Sequence, residues 1–396
     1  MSLTQAQAML VEGNDRIRAA RAAVEAAEAE YRGAFSVNLP KLSANLSHAR
    51  TSTEQSSVLT LKENSTLGLT GSLPIFAGGA NQASLRKKKF ELEKSRAQSQ
   101  IIESQALYDL REAYARTLFA QEAIHLSSDV VRRREENVLL IRQKYEAGRE
   151  SKAALLEVES MLSVSIWERE KDGHALRLAQ RRLNKILARP MADKVRAEPI
   201  SPLPKPESGL LNFETSLAGH PILRSNEYAV SAGRESLAGA RSGFLPMMDL
   251  ESSLSKVGST KWGLQDNNWQ WALGIKFPFF SGGRTVADIR SATAEIRKLD
   301  AEKSNAKGDL WIEAEDSFFS WEETAAWLDV AEAALKASES RAWLVGNQYA
   351  TGQAAYFEWR NVEDQLVNVQ KQLLAARRDL IIAHARFEKA MGRGVR

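Results

Sequence analysis

Histidines, cysteines and short glycine motifs carry most enzymatic and metal chemistry, so their types and spacing are the first test of this 396-residue chain. Its five histidines, His48, His125, His174, His220 and His384, show no metal-ligand spacing. No Gly-x-Ser-x-Gly, His-Glu-x-x-His or phosphate-binding glycine loop occurs. Cysteine is absent, which excludes disulfides, thiolate nucleophiles and Cys-metal sites. An enzyme is therefore not expected, and no catalytic residue, metal or cofactor is assigned. With 54 basic against 50 acidic residues the net charge is only +4, a poor basis for binding nucleic acid. Arg86-Lys87-Lys88-Lys89 reads as side chains snorkelling toward lipid head groups, and Arg132-Arg133-Arg134 as a solvated helix face. Trp311, Trp321, Trp327, Trp343 and Trp359 read as packing residues.

What the chain offers instead is a duplicated pattern. Leu73-Pro74-Ile75-Phe76-Ala77-Gly78-Gly79 recurs as Phe277-Pro278-Phe279-Phe280-Ser281-Gly282-Gly283, and Tyr145-Glu146-Ala147-Gly148 as Tyr349-Ala350-Thr351-Gly352, both at an offset of 204. Upstream, Leu39-Pro40 pairs with Leu245-Pro246 at an offset of 206. The chain is thus two tandem repeats, about 1–188 and 209–396, joined by a Pro-rich extended linker over 189–208. In each, a helix leads to two strands, a long helix, a short Gly turn and a further helix.

Alternation at period two predicts strands at about 40–49 and 65–75 in the first repeat, and at about 246–257 and 268–279 in the second. Leu67, Leu69 and Leu73, and later Trp269, Trp271, Leu273 and Phe277, form the apolar face; small polar residues form the other. Ser/Thr/Asn/Gly-rich loops are expected at 50–64 and 258–268. Pro74, Gly78 and Gly79, and Pro278, Gly282 and Gly283, mark strand-to-helix junctions, with Pro ending the ladder and Gly allowing the bend. The helices are expected at about 80–146, 150–188, 284–349 and 353–391. The long ones carry seven-residue spacing through Leu110, Thr117, Ile124, Val131, Val138 and Tyr145, and again through Ala314, Trp321, Leu328, Leu335, Ala342 and Tyr349. That period favours left-handed coiled-coil packing, in helices about 100 Å long. Gly148 and Gly352 are the helix-turn tips.

No run of 18 apolar residues exists, so no transmembrane helix is expected, and Met1-Ser2-Leu3 leads directly into a helical pattern without a signal peptide in this sequence. Ten-residue strands with one apolar, aromatic face and one polar face fit a membrane β-barrel. Four strands cannot close one, so the barrel must be shared among chains.

The Leu-Pro before the first strand, the Pro-x-Phe-x-Gly-Gly junctions, both Tyr-x-x-Gly turns and the duplication together resemble the TolC-like outer membrane efflux proteins, over almost the whole chain. The resemblance implies a mixed, mainly α fold. Long coiled-coil helices would form a periplasmic α-barrel, and four strands per chain would contribute to a 12-stranded transmembrane barrel in a homotrimer. It implies a gated exit duct in the outer membrane of a Gram-negative bacterium, spanning into the periplasm, for efflux or type I secretion. The implied partners are outer membrane lipid, a periplasmic adaptor and an inner-membrane pump of RND, ABC or MFS type, and no nucleic acid. The cargo stays open among drug, metal ion, polypeptide and polysaccharide.

The family's gate lies where the Tyr-x-x-Gly turns converge. By position Tyr349 matches the gate tyrosine, Glu358 a constriction-ring acid that would select cations, and Asn361 the second ring position. The gate set is completed by Tyr145 and Glu157. Ala354 stands where the best-known member has arginine, and Ala153 and Ala154 lack the polar partners it would use, so Arg149, Glu150, Glu157 or Arg360 are the candidates for another latch. For both tyrosines, packing at helix ends is the alternative role. The rival to a channel is a soluble coiled-coil scaffold or tether, which explains the long helices and leaves the duplicated strands without a purpose.

Overall fold

A computed structural model describes residues 1–55, 58–206, 213–258 and 266–394. In chain order the elements are α1 (Leu3–Gly13), α2 (Asp15–Ala34), a 3-10 turn (Phe35–Asn38), β1 (Lys41–Gln55), β2 (Val58–Ala77), α3 (Ala80–Glu146) and α4 (Lys152–Ile186). The second half follows with α5 (Phe213–Leu217), α6 (Pro221–Ser242), β3 (Met247–Gly258), β4 (Asp266–Lys276), α7 (Arg284–Thr351) and α8 (Tyr356–Ala390). The fold is mainly helical with one four-stranded sheet. The single helix expected at the head of each repeat is divided in two, at Asn14 and at 218–220.

The compact units do not coincide with the sequence repeats. One holds Met1–Arg21, Ser99–Pro221 and Lys307–Arg396, the other Ala22–Gln98 and Ile222–Ala306, so each draws on both repeats.

In the second of these units the sheet is antiparallel in the order β1-β2-β3-β4. Its register aligns the apolar residues of all four strands. Ala44 pairs with Leu69, Leu69 with Leu254 and Leu254 with Trp269; Leu73 pairs with Leu250 and Leu250 with Leu273. Directly paired residues share a face, so Leu42, Leu46, Leu67, Leu69, Leu73, Leu254, Trp269, Trp271, Leu273 and Ile275 form one apolar surface. Most of it is exposed, up to 84% for Leu42 and 74% for Trp269, while Leu73 is half-buried. Beyond Leu46 the same face turns polar, with His48 hydrogen-bonded to Ser65 at 2.9 Å and Arg50 paired with Glu63 at 3.5 Å.

Two strand expectations need correction. The loop expected at 50–64 is mostly strand, because the ladder continues past the apolar band to Gln55 and Val58; of the second loop, 259–265 lie outside the described residues. Pro74 does not end its strand either. It lies inside β2, where the register slips between Pro74 and Phe76, a bulge that tolerates a residue without an N–H. Pro278 does lie beyond its strand, which stops at Lys276, short of the expected 279. Nor does the basic run snorkel: Arg86 pairs with Glu235 and Lys88 with Glu30, both at 2.8 Å, because α2 and α6 present acids to α3.

In the other unit the seven-residue positions are the core. Leu110, Thr117, Val131, Val138, Ala314, Trp321, Leu328, Ala342 and Tyr349 are buried, and Ile124 and Leu335 half-buried. One cluster joins Phe318, Trp321 and Leu328 of α7 to Leu373, Leu380 and Phe387 of α8. The segment after α4 is no free tether. Val195 and Ala197 are buried in the core, and the Tyr114 hydroxyl donates to the carbonyl oxygen of Glu198 at 2.7 Å.

Candidate functional site: the helix tips

Both helix pairs turn on a glycine in the left-handed region, Gly148 at φ 73° and Gly352 at φ 82°. Around each, two backbone bonds close a Schellman turn: Gly148 and Arg149 donate to Tyr145 and Lys144 at 2.9 and 2.8 Å, and Gly352 and Gln353 to Tyr349 and Gln348 at 3.2 and 2.7 Å. The next helices start differently. The Ser151 hydroxyl caps α4 by accepting from Ala154, whereas Ala355 before α8 has no capping side chain.

Tyr349, one turn before the tip, is 2% exposed. Its ring stacks on Trp359 at 4.7 Å and an interplanar angle of 7°, and its hydroxyl donates to Glu150 at 2.8 Å. The carbonyl of Tyr349 accepts from Lys144 Nζ at 2.8 Å, and the same ammonium lies 3.7 Å from the ring centroid. A cation there satisfies an end-of-helix carbonyl and the negative end of the α7 dipole together. Burial, then the carboxylate of Glu150, holds the Tyr349 hydroxyl well above the ordinary phenol range. Burial, with Glu157 beside it, pushes the Tyr356 hydroxyl up to about 12. Both phenols are therefore neutral at physiological pH.

Glu157 forms an ion pair with Arg360, whose Nη2 also donates to the Asn361 side chain at 2.8 Å. Further along, Arg134 pairs with Asp364 and Lys371 with Glu168 at 2.8 Å. The tip thus carries polar links from the first helix pair to the second, through Glu150–Tyr349, Lys144–Tyr349 and Glu157–Arg360. Of the four latch candidates legible from sequence, Arg149, Glu150, Glu157 and Arg360, the last three take part in these links. Lys144, Trp359 and Arg134 were missed as members of this site; the only signal for Lys144 was its place beside Tyr145.

The remaining expected positions stand apart. Tyr145 is 38% exposed and Glu358 lies on an exposed face of α8, three residues before Asn361, which joins the cluster only through its bond from Arg360. Arg133 and Arg134 do not belong to a solvated face: Arg134 is buried and Arg133 donates to Gln370 at 3.0 Å. Of the tryptophans, Trp321 and Trp359 pack in the core, whereas Trp311, Trp327 and Trp343 are exposed, Trp343 by 72%. Among the described residues, no group of three or more His, Cys, Asp or Glu is placed to hold a metal ion.

The chain thus combines a four-stranded antiparallel sheet that carries one continuous apolar face with a duplicated pair of long helices. The chain belongs to the outer membrane efflux protein family, whose model matches residues 8–188 and 213–393. It is 25% identical over 320 residues to the alkaline protease secretion protein AprF of Pseudomonas aeruginosa, covering 78% of this chain and 64% of that one. To the proteases secretion protein PrtF of Dickeya chrysanthemi it is 24% identical over 412 residues, covering 95% and 86%. In fold it resembles the outer membrane protein VceC of Vibrio cholerae, with a TM-score of 0.85 at 18% identity over 100% of this chain and 97% of the other. The chain spans less than two thirds of the length of AprF.

Proposed function

We propose that the chain is the outer-membrane exit duct of a tripartite efflux or type I secretion system, a passive gated channel and not an enzyme. The observation that carries this reading is the sheet. Its apolar face runs across all four strands, and among the described residues both outer strands, β1 and β4, have an unpaired edge. An isolated sheet of this kind would leave a large apolar patch and two open edges in water. β3 and β4, with 12 and 11 residues, are close to the length a tilted barrel strand needs to cross a bilayer, about 9–11. Three copies would bring twelve strands to one barrel in the outer membrane, with lipid against Leu67, Leu69, Leu73, Trp269, Trp271, Leu273 and Phe277. The soluble tether is not favoured, since it gives this face nothing to cover it.

The helix tips are then the periplasmic mouth, held shut by the Glu150–Tyr349 and Glu157–Arg360 links, with Glu358 and Asn361 at the constriction and Tyr145 and the turn glycines at its rim. Opening is a repacking of coiled coils that breaks these links. An adaptor and an energised inner-membrane pump complete the system. The names of AprF and PrtF favour secretion of polypeptides over efflux of small molecules.

The test is a planar bilayer. The purified protein should give a cation-selective conductance that Glu358→Gln makes less selective. An unchanged selectivity would remove Glu358 from the constriction, and absence of any conductance from a correctly inserted protein would overturn the duct.

A further inference from the structure

We infer that Lys256 and Asn267 form a head-group site for a phosphorylated lipid of the outer leaflet, whose acyl chains lie on the apolar face beside them. The inference rests on the membrane barrel proposed above and names the lipid chemistry that the second repeat selects.

The apolar face of the sheet has two ends. α3 and α7 follow β2 and β4 at its foot, after Ala77 and Lys276, so Gly258 and Asp266 lie at the end away from these helices. From the foot, β3 places Met248, Leu250, Ser252, Leu254 and Lys256 on this face, and β4 places Ile275, Leu273, Trp271, Trp269 and Asn267. Lys256 is the first charged side chain met on either strand. Its cross-strand partner is Asn267, and both are exposed. Side chains paired in this way start about 5 Å apart, so an ammonium and a side-chain amide present their N–H groups side by side. Next to them toward the foot lie Leu254 and Trp269, 50 and 74% exposed, followed by Trp271 at 66%. Tryptophans of this kind mark the level at which hydrocarbon gives way to head groups. An ammonium beside an amide suits an anionic oxygen, and the molecule that brings one to this level with acyl chains attached is a lipid phosphate.

The duplication supplies an internal control. At the offsets of 206 and 204, Arg50 and Glu63 are the counterparts of Lys256 and Asn267. They too are cross-strand partners, and Arg50 Nε lies 3.5 Å from Glu63 Oε1. In the first repeat the cation is therefore balanced within the sheet. In the second an amide stands where the acid would be, which removes the countercharge and adds a donor. The residues beside the pair change in the same direction: Trp269 and Trp271 replace Ser65 and Leu67. The second repeat thus joins an uncompensated cation, an amide and two exposed tryptophans on one face. The charge asks for an anion and the surface continuous with it asks for hydrocarbon. A lipid bearing phosphate monoesters, as lipid A does in the outer leaflet of a Gram-negative outer membrane, answers both, and the low polarity beside the head groups strengthens the contact.

The test places the full-length protein in phosphatidylcholine nanodiscs, titrates in radiolabelled lipid A and measures what co-purifies with the protein. The parent should retain lipid A saturably, and lipid A stripped of its phosphates about fivefold more weakly. Lys256→Gln should weaken retention by about the same factor, and Lys256→Arg should restore it. Asn267→Glu installs the acid of the first repeat and should weaken retention as much as Lys256→Gln does. Arg50→Gln, at a position already paired, should leave retention nearly unchanged. Excess inorganic phosphate should not displace the lipid, and displacement would overturn a lipid as the occupant. If the protein enters the discs but Lys256→Gln, or removal of the phosphates, changes nothing, the site is overturned and the duct stands. A protein that stays outside the discs overturns both.

Discussion

Tyr145 and Tyr349 occupy the same place in the two repeats, yet one is 38% exposed and the other is 2% exposed at the centre of a polar and aromatic cluster. The difference lies in their neighbours. The counterpart of Trp359, on which Tyr349 stacks, is Leu155; that of Glu150, which accepts its hydroxyl, is Ala354; that of Lys144 is Gln348. The ion pair divides likewise, Glu157 corresponding to Asn361 and Arg360 to Leu156. Neither repeat could form these links with a copy of itself. After duplication the first repeat supplies the carboxylates and the lysine, and the second the tyrosine and the arginine. The tip contacts are therefore specific to the joined pair.

Substitutions that give one repeat the identity of the other test this division. Trp359→Ala removes the stacked partner of Tyr349 and should cost about 3–5 kcal/mol, read from denaturant or thermal unfolding in detergent. Tyr145→Ala, at the equivalent tip, should stay within about 0.5 kcal/mol; equal effects would mean that the two tips share their load. Tyr349→Phe keeps the stack and loses only the hydrogen bond to Glu150, for which about 1.5–3 kcal/mol is expected, together with more frequent openings in single-channel records. Tyr145→Phe should change neither. Arg360→Leu, the residue the first repeat carries, breaks a pair whose members are partly solvated, so about 1 kcal/mol is expected. In a double-mutant cycle with Glu157→Asn the coupling should account for most of that loss, and additive effects would show that the pair is incidental.

The helices were legible in the sequence because a sustained seven-residue period is local information; Ala80–Glu146 matches the expected span of 80–146. The apolar strand segments were legible for the same reason. The outer half of the β1–β2 hairpin was not, since Thr51-Ser52-Thr53-Glu54-Gln55 carries no apolar alternation and the ladder that starts at Lys41 and Ser72 runs on past Leu46 and Leu67. Arg132-Arg133-Arg134 shows why a charge run on a helix is a poor guide. Successive residues turn by about 100°, so the first is exposed, the second half-buried and the third buried against Asp364. Candidates for the tip contacts could be proposed from proximity to the turns, but which acid meets which base depended on the packing of helices some 200 residues apart.

A pH-dependent difference separates a second pair of counterparts, His384 in α8 and Gln180 in α4. Gln180 donates to the Val195 carbonyl at 2.9 Å and carries no titratable group. His384 lies against Trp321 with ring centroids 4.7 Å apart, and burial, followed by the positive charges of Arg111 and Arg393, lowers its pKa from 6.5 to about 4. Its Nδ1 is 3.8 Å from Glu388, but that carboxylate is engaged by Arg111. The unfolded chain therefore binds more protons than the native one between these values. The resulting stabilisation is fully present above about pH 6.5, weakens as the pH falls, and is lost below about 4. His384→Gln, which installs the first repeat's residue, should flatten the fall of the unfolding midpoint over that window while changing it little at pH 8. Parallel losses in parent and variant between pH 6.5 and 4 would place the acid sensitivity elsewhere, among the paired carboxylates of the helix tips.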